Sequence, residues 1–207
     1  MFHVKHPEAV PATAAQAEKL EAFLALLLRW NRRINLVAEH DAEAIRTRHI
    51  ADSWQLLPLL PAGPGPIGDL GSGAGFPGLI LALGSLRPTH LVESDRRKAA
   101  FLIEAAARLD LPGVTVHATR IEAAILPPLA VLTARALAPL TELLPHAVRL
   151  LAADGVALFP KGRGVEAELS AAAAAGWSFT AQHVASLTDP AATLLRLRDI
   201  RHAAPQA

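Results

Sequence analysis

The stretch from Ile67 to Gly78 reads IGDLGSGAGFPG. A short apolar lead-in ends in an acid, Asp69, and Gly71, Gly73, Gly75 and Gly78 follow in quick succession. Glycine loses more backbone freedom on folding than any other residue. Such a density therefore marks a loop that must turn at positive φ or let another group come close. An apolar strand feeding this loop, with the helix-forming run LILALG behind it, is a strand–turn–helix unit. In open α/β sheets a turn of this kind faces the ligand crevice.

The rest of the chain repeats that alternation. PIGDL, THLVES, VTVHAT, AVLTAR, VALFPK, WSFTAQHVAS and TLLRLRDI read as strands. Helical patterns over 75–83, 96–109, about 121–125, 139–151 and 165–175 separate the first six, the Ala-rich run ending at Gly176. The pattern predicts an α/β fold with a doubly wound, mostly parallel sheet. Only LTDPAA separates the last two strands, which predicts a C-terminal antiparallel hairpin at one end of the sheet. Residues 1–61 read as an N-terminal helical extension. Thr13 with Gln16 forms a capping box ahead of AEKLEAFLALLLRWN, and Asp41 caps a second helix that Pro58 and Pro61 bring to an end. The rigid break PAGPGP opens the main domain, 62–207.

With 207 residues, 52% of them hydrophobic, the chain can build one sizeable core. Its leucine runs are too interrupted to span a bilayer. Its first residues, MFHVKHPEAV, lack a signal peptide's apolar run, so a cytoplasmic protein is expected; a monomer is the separate expectation for its oligomeric state, which the sequence itself does not give. There is no cysteine, which removes thiolate zinc sites and cysteine nucleophiles. The nine histidines show no paired spacing, so no metal site is expected. Lys plus Arg (20) balances Asp plus Glu (19), but the cations cluster, and such patches can steer an anion at near-zero net charge.

Three ligand chemistries compete for the glycine loop. A phosphate-transfer loop needs Lys-Ser or Lys-Thr after its last glycine, where Phe76 and Pro77 stand instead. A dinucleotide fingerprint is G-x-G-x-x-G, and here the third glycine comes one residue early. The spacing acid-x-G-x-G-x-G, with Glu93 ending the next strand, resembles the first motif of class I S-adenosylmethionine-dependent methyltransferases. A cofactor without pyrophosphate suits a loop that offers close backbone approach, and an acid can accept both ribose hydroxyls.

More of the chain carries a narrower resemblance. Trp30, Asn31, Asn35 and Leu36 fit W-N-x-x-x-N-L, and Arg48, His49, Asp52 and Ser53 fit R-H-x-x-D-S. Asp69 to Gly78 fits D-x-G-[ST]-G-x-G-x-P-G; LVESDRRKAAFL, TRIEA, TARALAPL and PKG follow in order. Together these resemble the ribosomal small-subunit methyltransferase G family, also called glucose-inhibited division protein B. The departure is Glu93, where relatives commonly carry Asp. The resemblance implies methylation of N7 of a guanine in 16S ribosomal RNA by S-adenosylmethionine. It implies cofactor contacts from Asp69, Gly71, Gly73, Gly75 and Phe76, ribose contacts from Glu93, Ser94 and Asp95, and adenine contacts from Ile121 and Glu122. Arg135 is placed beside the cofactor and the reacting centre, as the catalytic residue. Arg48, His49, Lys161 and Arg163 are the candidate RNA contacts.

Several of these residues have a plainer reading. Phe76 suits a core, Glu122 suits a helix N-terminus, and Trp30, Asn31, His49 and Asp52 could staple the extension to the sheet. Arg135 in an apolar strand requires a partner. Guanine N7 attacks without losing a proton, so alignment alone suffices and no general base is required. A small-molecule methyltransferase and a non-catalytic S-adenosylmethionine-binding assembly factor are the alternatives. A nicotinamide enzyme is disfavoured by the glycine spacing.

Overall fold

The computed structural model describes residues 2–4 and 10–203. In chain order it forms β1 (Phe2–Val4), α1 (Ala14–Asn31), α2 (Ala42–Ile45), α3 (Asp52–Trp54), β2 (Ile67–Leu70), α4 (Gly78–Ser85), β3 (Thr89–Val92), α5 (Arg96–Arg108), β4 (Val114–His117), β5 (Leu129–Ala134), α6 (Leu140–Leu150), β6 (Leu151–Lys161), α7 (Val165–Ala174), β7 (Trp177–Ala185) and β8 (Thr193–His202). All eight strands join one sheet, in the order β1-β7-β8-β6-β5-β2-β3-β4. β2 to β6 run parallel to one another, and β8 is antiparallel to both β6 and β7. The strand order reverses between β2 and β5, the switch point at which such sheets open a crevice beyond their strand ends.

The sequence explains most of this. Every residue of β2 is buried, as a central parallel strand requires. The Thr13 hydroxyl accepts from the Gln16 amide, while the Gln16 side chain accepts from the Thr13 amide, so the capping box starts α1 as expected. The Asp41 carboxylate accepts from the Ala44 amide and starts α2. One helical face of the extension buries Phe23, Leu27, Ile45 and Trp54 against α4 and α5, with Phe101 and Leu91 beneath them. The opposite sheet face is covered by α6 and α7, through Leu140, Leu144, Leu169 and Ala172.

Three expectations need correction. The first residues are not helical throughout, because β1 pairs in parallel with β7 and forms one end of the sheet, outside the hairpin. The helix capped by Asp41 does not run unbroken. It widens into a π-type turn over Arg46–Ala51 and ends at Trp54, leaving a 3-10 turn at Leu57–Leu59 around Pro58. The helix after the glycine loop starts at Gly78 and not at Gly75, because Gly75 sits at φ +88.

Candidate active site

The glycine loop leaves β2 at the carboxyl edge of the sheet, with the ends of β3, β4 and β5 beside it. Gly71, Gly73 and Gly75 all lie at positive φ. A Cβ on Gly71 would meet the Leu137 side chain at 2.6 Å, and one on Gly78 would meet Leu91 and the Asp69 side chain. Within the turn from Gly71 to Gly75, only Gly71 and Gly73 keep appreciable surface. They form a cradle that a side chain would fill.

Two acids hold the loop in shape. Asp69 is fully buried; its carboxylate accepts from the Thr133 hydroxyl at 2.7 Å and from the Gly78 amide at 3.3 Å. Burial pushes its carboxyl up to about 6, against the opposing pull of these hydrogen bonds. Asp69 therefore shapes the loop from behind and does not face the crevice. Glu93, at the end of β3, accepts from the Gly73 amide at 2.8 Å through one oxygen and from the Asp95 amide at 2.8 Å through the other. The negative charge there suits a ligand with hydroxyls to donate, such as a ribose.

The other expected cofactor residues divide. Ser94 is exposed beside Glu93. Asp95 caps α5, accepting from the Arg97 and Lys98 amides, which draws its carboxyl below the usual range. That is a helix-capping task, carried by Oδ1. Ile121 and Glu122 sit in a 3-10 turn after β4, with Glu122 exposed. Arg149 of α6 donates to the Ile121 and Ala124 carbonyls and pins this turn, a role that its position in the sequence does not disclose. Phe76 is 4% exposed and packs edge-on against Phe23, with His49 stacked on it at 5.1 Å. Its plainer reading as core holds, and its ring also carries the Arg135 guanidinium at 5.3 Å.

Arg135 follows β5, and the extension supplies its partners. Its Nη1 donates to the Arg48 carbonyl at 3.2 Å and lies 3.5 Å from Asp52 Oδ2. Beyond it opens a cleft of about 960 Å³. One wall is the extension, with Glu39, Arg48, His49 and Asp52; the opposite walls come from the end of β6 and from the β7–β8 turn at Thr188. His49 donates or accepts at Nε2 with Glu39 at 2.8 Å. Burial, outweighing the Glu39 contact, holds the His49 imidazole below its usual range and favours the neutral ring. The same contact, outweighing the cost of burial, draws the Glu39 carboxyl down.

The four candidate RNA contacts are not equivalent. Arg48 is exposed, with a loose ion pair to Glu39 at 3.4 Å. Arg163 is exposed, with no hydrogen bond or ion pair among the described residues. His49 is stacked inside the wall. Lys161 is 9% exposed in its side chain; its Nζ donates to Glu168 at 2.7 Å and to the Ala138 carbonyl at 3.1 Å. Glu168 in turn accepts from the Leu140 amide at the start of α6. Lys161 thus braces the segment behind Arg135 and is no free cation. Trp30 staples the extension to α5 by donating to Glu104, whereas Asn31 bonds the backbone of Leu36, Val37 and Glu39 and shapes a turn within the extension itself. No group of three or more potential metal ligands occurs among the described residues. Nor is any helix among them long and apolar enough to cross a membrane.

Sheet order, glycine cradle and acid-braced loop together define a class I S-adenosylmethionine-dependent methyltransferase. An O-methyltransferase from Bacillus cereus, solved with S-adenosylhomocysteine, superposes with a TM-score of 0.56 at 17% identity, over 92% of this chain and 93% of that one. The sequence is more specific. Residues 16–193 match the GidB family, rRNA small subunit methyltransferase G, and the chain belongs to that family. Ribosomal RNA small subunit methyltransferase G of Granulibacter bethesdensis is 52% identical, over 97% of this chain and 99% of that protein. Its counterpart in Acidiphilium cryptum is 54% identical, over 89% and 86%.

Proposed function

We propose that this enzyme methylates N7 of a guanine in 16S ribosomal RNA, in the cytoplasm, with S-adenosylmethionine bound over Gly71, Gly73 and Glu93. The observation that carries the position is the residue after β5. A cation, Arg135, stands at the mouth of the acceptor cleft, and TARALAPL has no Asn-Pro-Pro-Tyr type segment of the kind that serves exocyclic amines. The bound cofactor supplies an electrophilic methyl group on a sulfonium. N7 presents a lone pair and loses no proton, so the chain's task is alignment. Arg135, over the Phe76 ring and tied to the extension, is the group held where that alignment is set. We assign residues 1–61 to holding this wall of the cleft and 62–207 to binding the cofactor.

Borohydride and aniline cleave RNA at 7-methylguanosine. Small subunits methylated by the protein should therefore yield one new cleavage, at a guanine of the 16S RNA. A methyl group on a pyrimidine, an exocyclic amine or a sugar would refute the assignment.

RNA affinity should fall steeply with salt, as phosphate contacts release counterions. Arg163→Ala should reduce the slope of log affinity against log salt by roughly 0.7–0.9. Lys161→Ala should leave the slope nearly unchanged while slowing methyl transfer, because its charge is already committed to Glu168. Equal slope changes for the two variants would contradict this division.

A further inference from the structure

Asp52 is fixed with unusual completeness. Its Oδ1 accepts from Gln55 Nε2 at 2.8 Å and from the Thr188 hydroxyl at 2.8 Å. Gln55 cannot turn its amide over, because its Oε1 accepts from the Leu187 backbone N–H at 2.7 Å. Oδ1 is therefore fully used and the plane of the carboxylate is set. Among the described residues Oδ2 has only Arg135 Nη1, at 3.5 Å, too far for a strong hydrogen bond. Arg135 is held from one side. Nη1 reaches the Arg48 carbonyl and Cζ lies over the Phe76 ring, and no hydrogen bond among the described residues occupies Nη2.

The cleft wall thus shows a cationic N–H donor beside an anionic acceptor, with spare capacity on both. Glu39 and Glu168 are less suited, since the former holds His49 and the latter holds both Lys161 and the start of α6. A donor next to an acceptor is what cytosine offers to guanine. Guanine answers with O6, an acceptor, next to N1–H, a donor. Adenine reverses both, with an amino group at C6 and a bare N1. The pair also reaches the correct edge for N7 chemistry, because O6 lies between N7 and N1 on the purine.

Resting on the N7 reading above, we infer that Asp52 and Arg135 together read the base, Asp52 Oδ2 accepting from guanine N1–H while Arg135 donates to O6. Asp52 is then a specificity-determining residue. A pairing that leaves buried donors and acceptors unmatched is rejected far more strongly than one that merely changes shape.

The test uses small subunits reconstituted with 16S RNA that carries guanine, inosine or 2-aminopurine at the mapped site, in single-turnover methyl transfer. Inosine keeps O6 and N1–H and lacks only the 2-amino group. 2-Aminopurine keeps N7 and the 2-amino group, lacks O6, and has a bare N1. The wild type should treat inosine within about threefold of guanine and 2-aminopurine about a hundredfold worse, as two unmatched hydrogen bonds imply. Asp52→Asn is the informative variant. Gln55 and Thr188 both donate toward Oδ1, so the amide oxygen must stay there and its NH2 must take the place of Oδ2. Acceptor becomes donor, which opposes N1–H and suits a bare N1. The preference for guanine over 2-aminopurine should shrink at least tenfold, and dividing variant by wild type cancels the intrinsic reactivity of each N7.

An Asp52→Asn protein that slows on both bases equally would make Asp52 a scaffold and overturn the inference. So would a wild type that handles inosine as poorly as 2-aminopurine, or all three bases alike; the wild-type arm decides even if the variant does not fold. A wild-type product on guanine other than 7-methylguanosine overturns the N7 reading and this inference with it. A 7-methylguanosine product with unchanged base preference overturns this inference alone.

Discussion

Gly71→Val is expected to abolish binding of S-adenosylmethionine and S-adenosylhomocysteine, with affinity falling more than a hundredfold in calorimetry. Two costs coincide at this residue. Its φ of +64 is a left-handed conformation that costs an L-residue about 1–2 kcal/mol, and a β-branched one most. Its Cβ would also enter the Leu137 side chain at 2.6 Å, on the one face where the loop's backbone stays open. Leu137 is 39% exposed and can swing away, so the fold should survive with a loss of a few kcal/mol at most. A folded Gly71→Val protein that binds S-adenosylhomocysteine normally would remove the glycine cradle from the site.

Asp69→Asn should change how stability depends on pH. In the wild type, burial raises the Asp69 carboxyl from 3.8 to about 6, so the folded state prefers the protonated acid. That contribution is fully present below 3.8 and is lost as pH rises through about 6. Buried histidines work in the opposite direction. His49, His90 and His117 are all held below 6.5, chiefly by burial, and they withdraw stability as the pH falls below the ordinary histidine range. Subtracting the Asp69→Asn curve isolates the acid. Between pH 7 and pH 5 the wild type should gain about 1.4 kcal/mol relative to the variant, approaching about 3 kcal/mol below pH 4. Denaturant melts of the ligand-free protein measure this difference. A flat difference would mean that Asp69 keeps its charge across the range. At pH 7 the ionised acid is costly to the fold, and its return is the fixed geometry of the Gly78 amide and Thr133.

Much of this architecture was legible in the residues. The strand–helix alternation, the hairpin, the Thr13 and Asp41 caps and the glycine loop are all local patterns, and local patterns survive folding. The helix breaks at Gly75 and around Pro58 are local, whereas the other misses depend on contacts with a different element. Strand β1 is three residues in a polar neighbourhood and becomes a strand only because the edge of β7 pairs with it. Asp52 turns to Arg135, far off in sequence, while Arg48 pairs with Glu39. Lys161 reads as a free cation after a strand until Glu168 closes on it from the next helix. Glu93 was recognisable as an acid of the site; that each of its oxygens also accepts from a loop amide was not.

The contacts of Gln55 and Asp52 with Ser186, Leu187 and Thr188 have a further consequence for a chain made from one end to the other. Residues 52–55 are translated well before residues 186–188, on which this part of the extension's anchorage depends. Until residue 188 has emerged, Gln55 lacks the amide that orients it and Asp52 lacks the hydroxyl that fixes its plane. The glycine loop and its bracing acids are complete much earlier. A nascent chain can therefore hold its cofactor cradle before it owns a finished acceptor wall, and the order of synthesis itself delays the moment at which it can select a base.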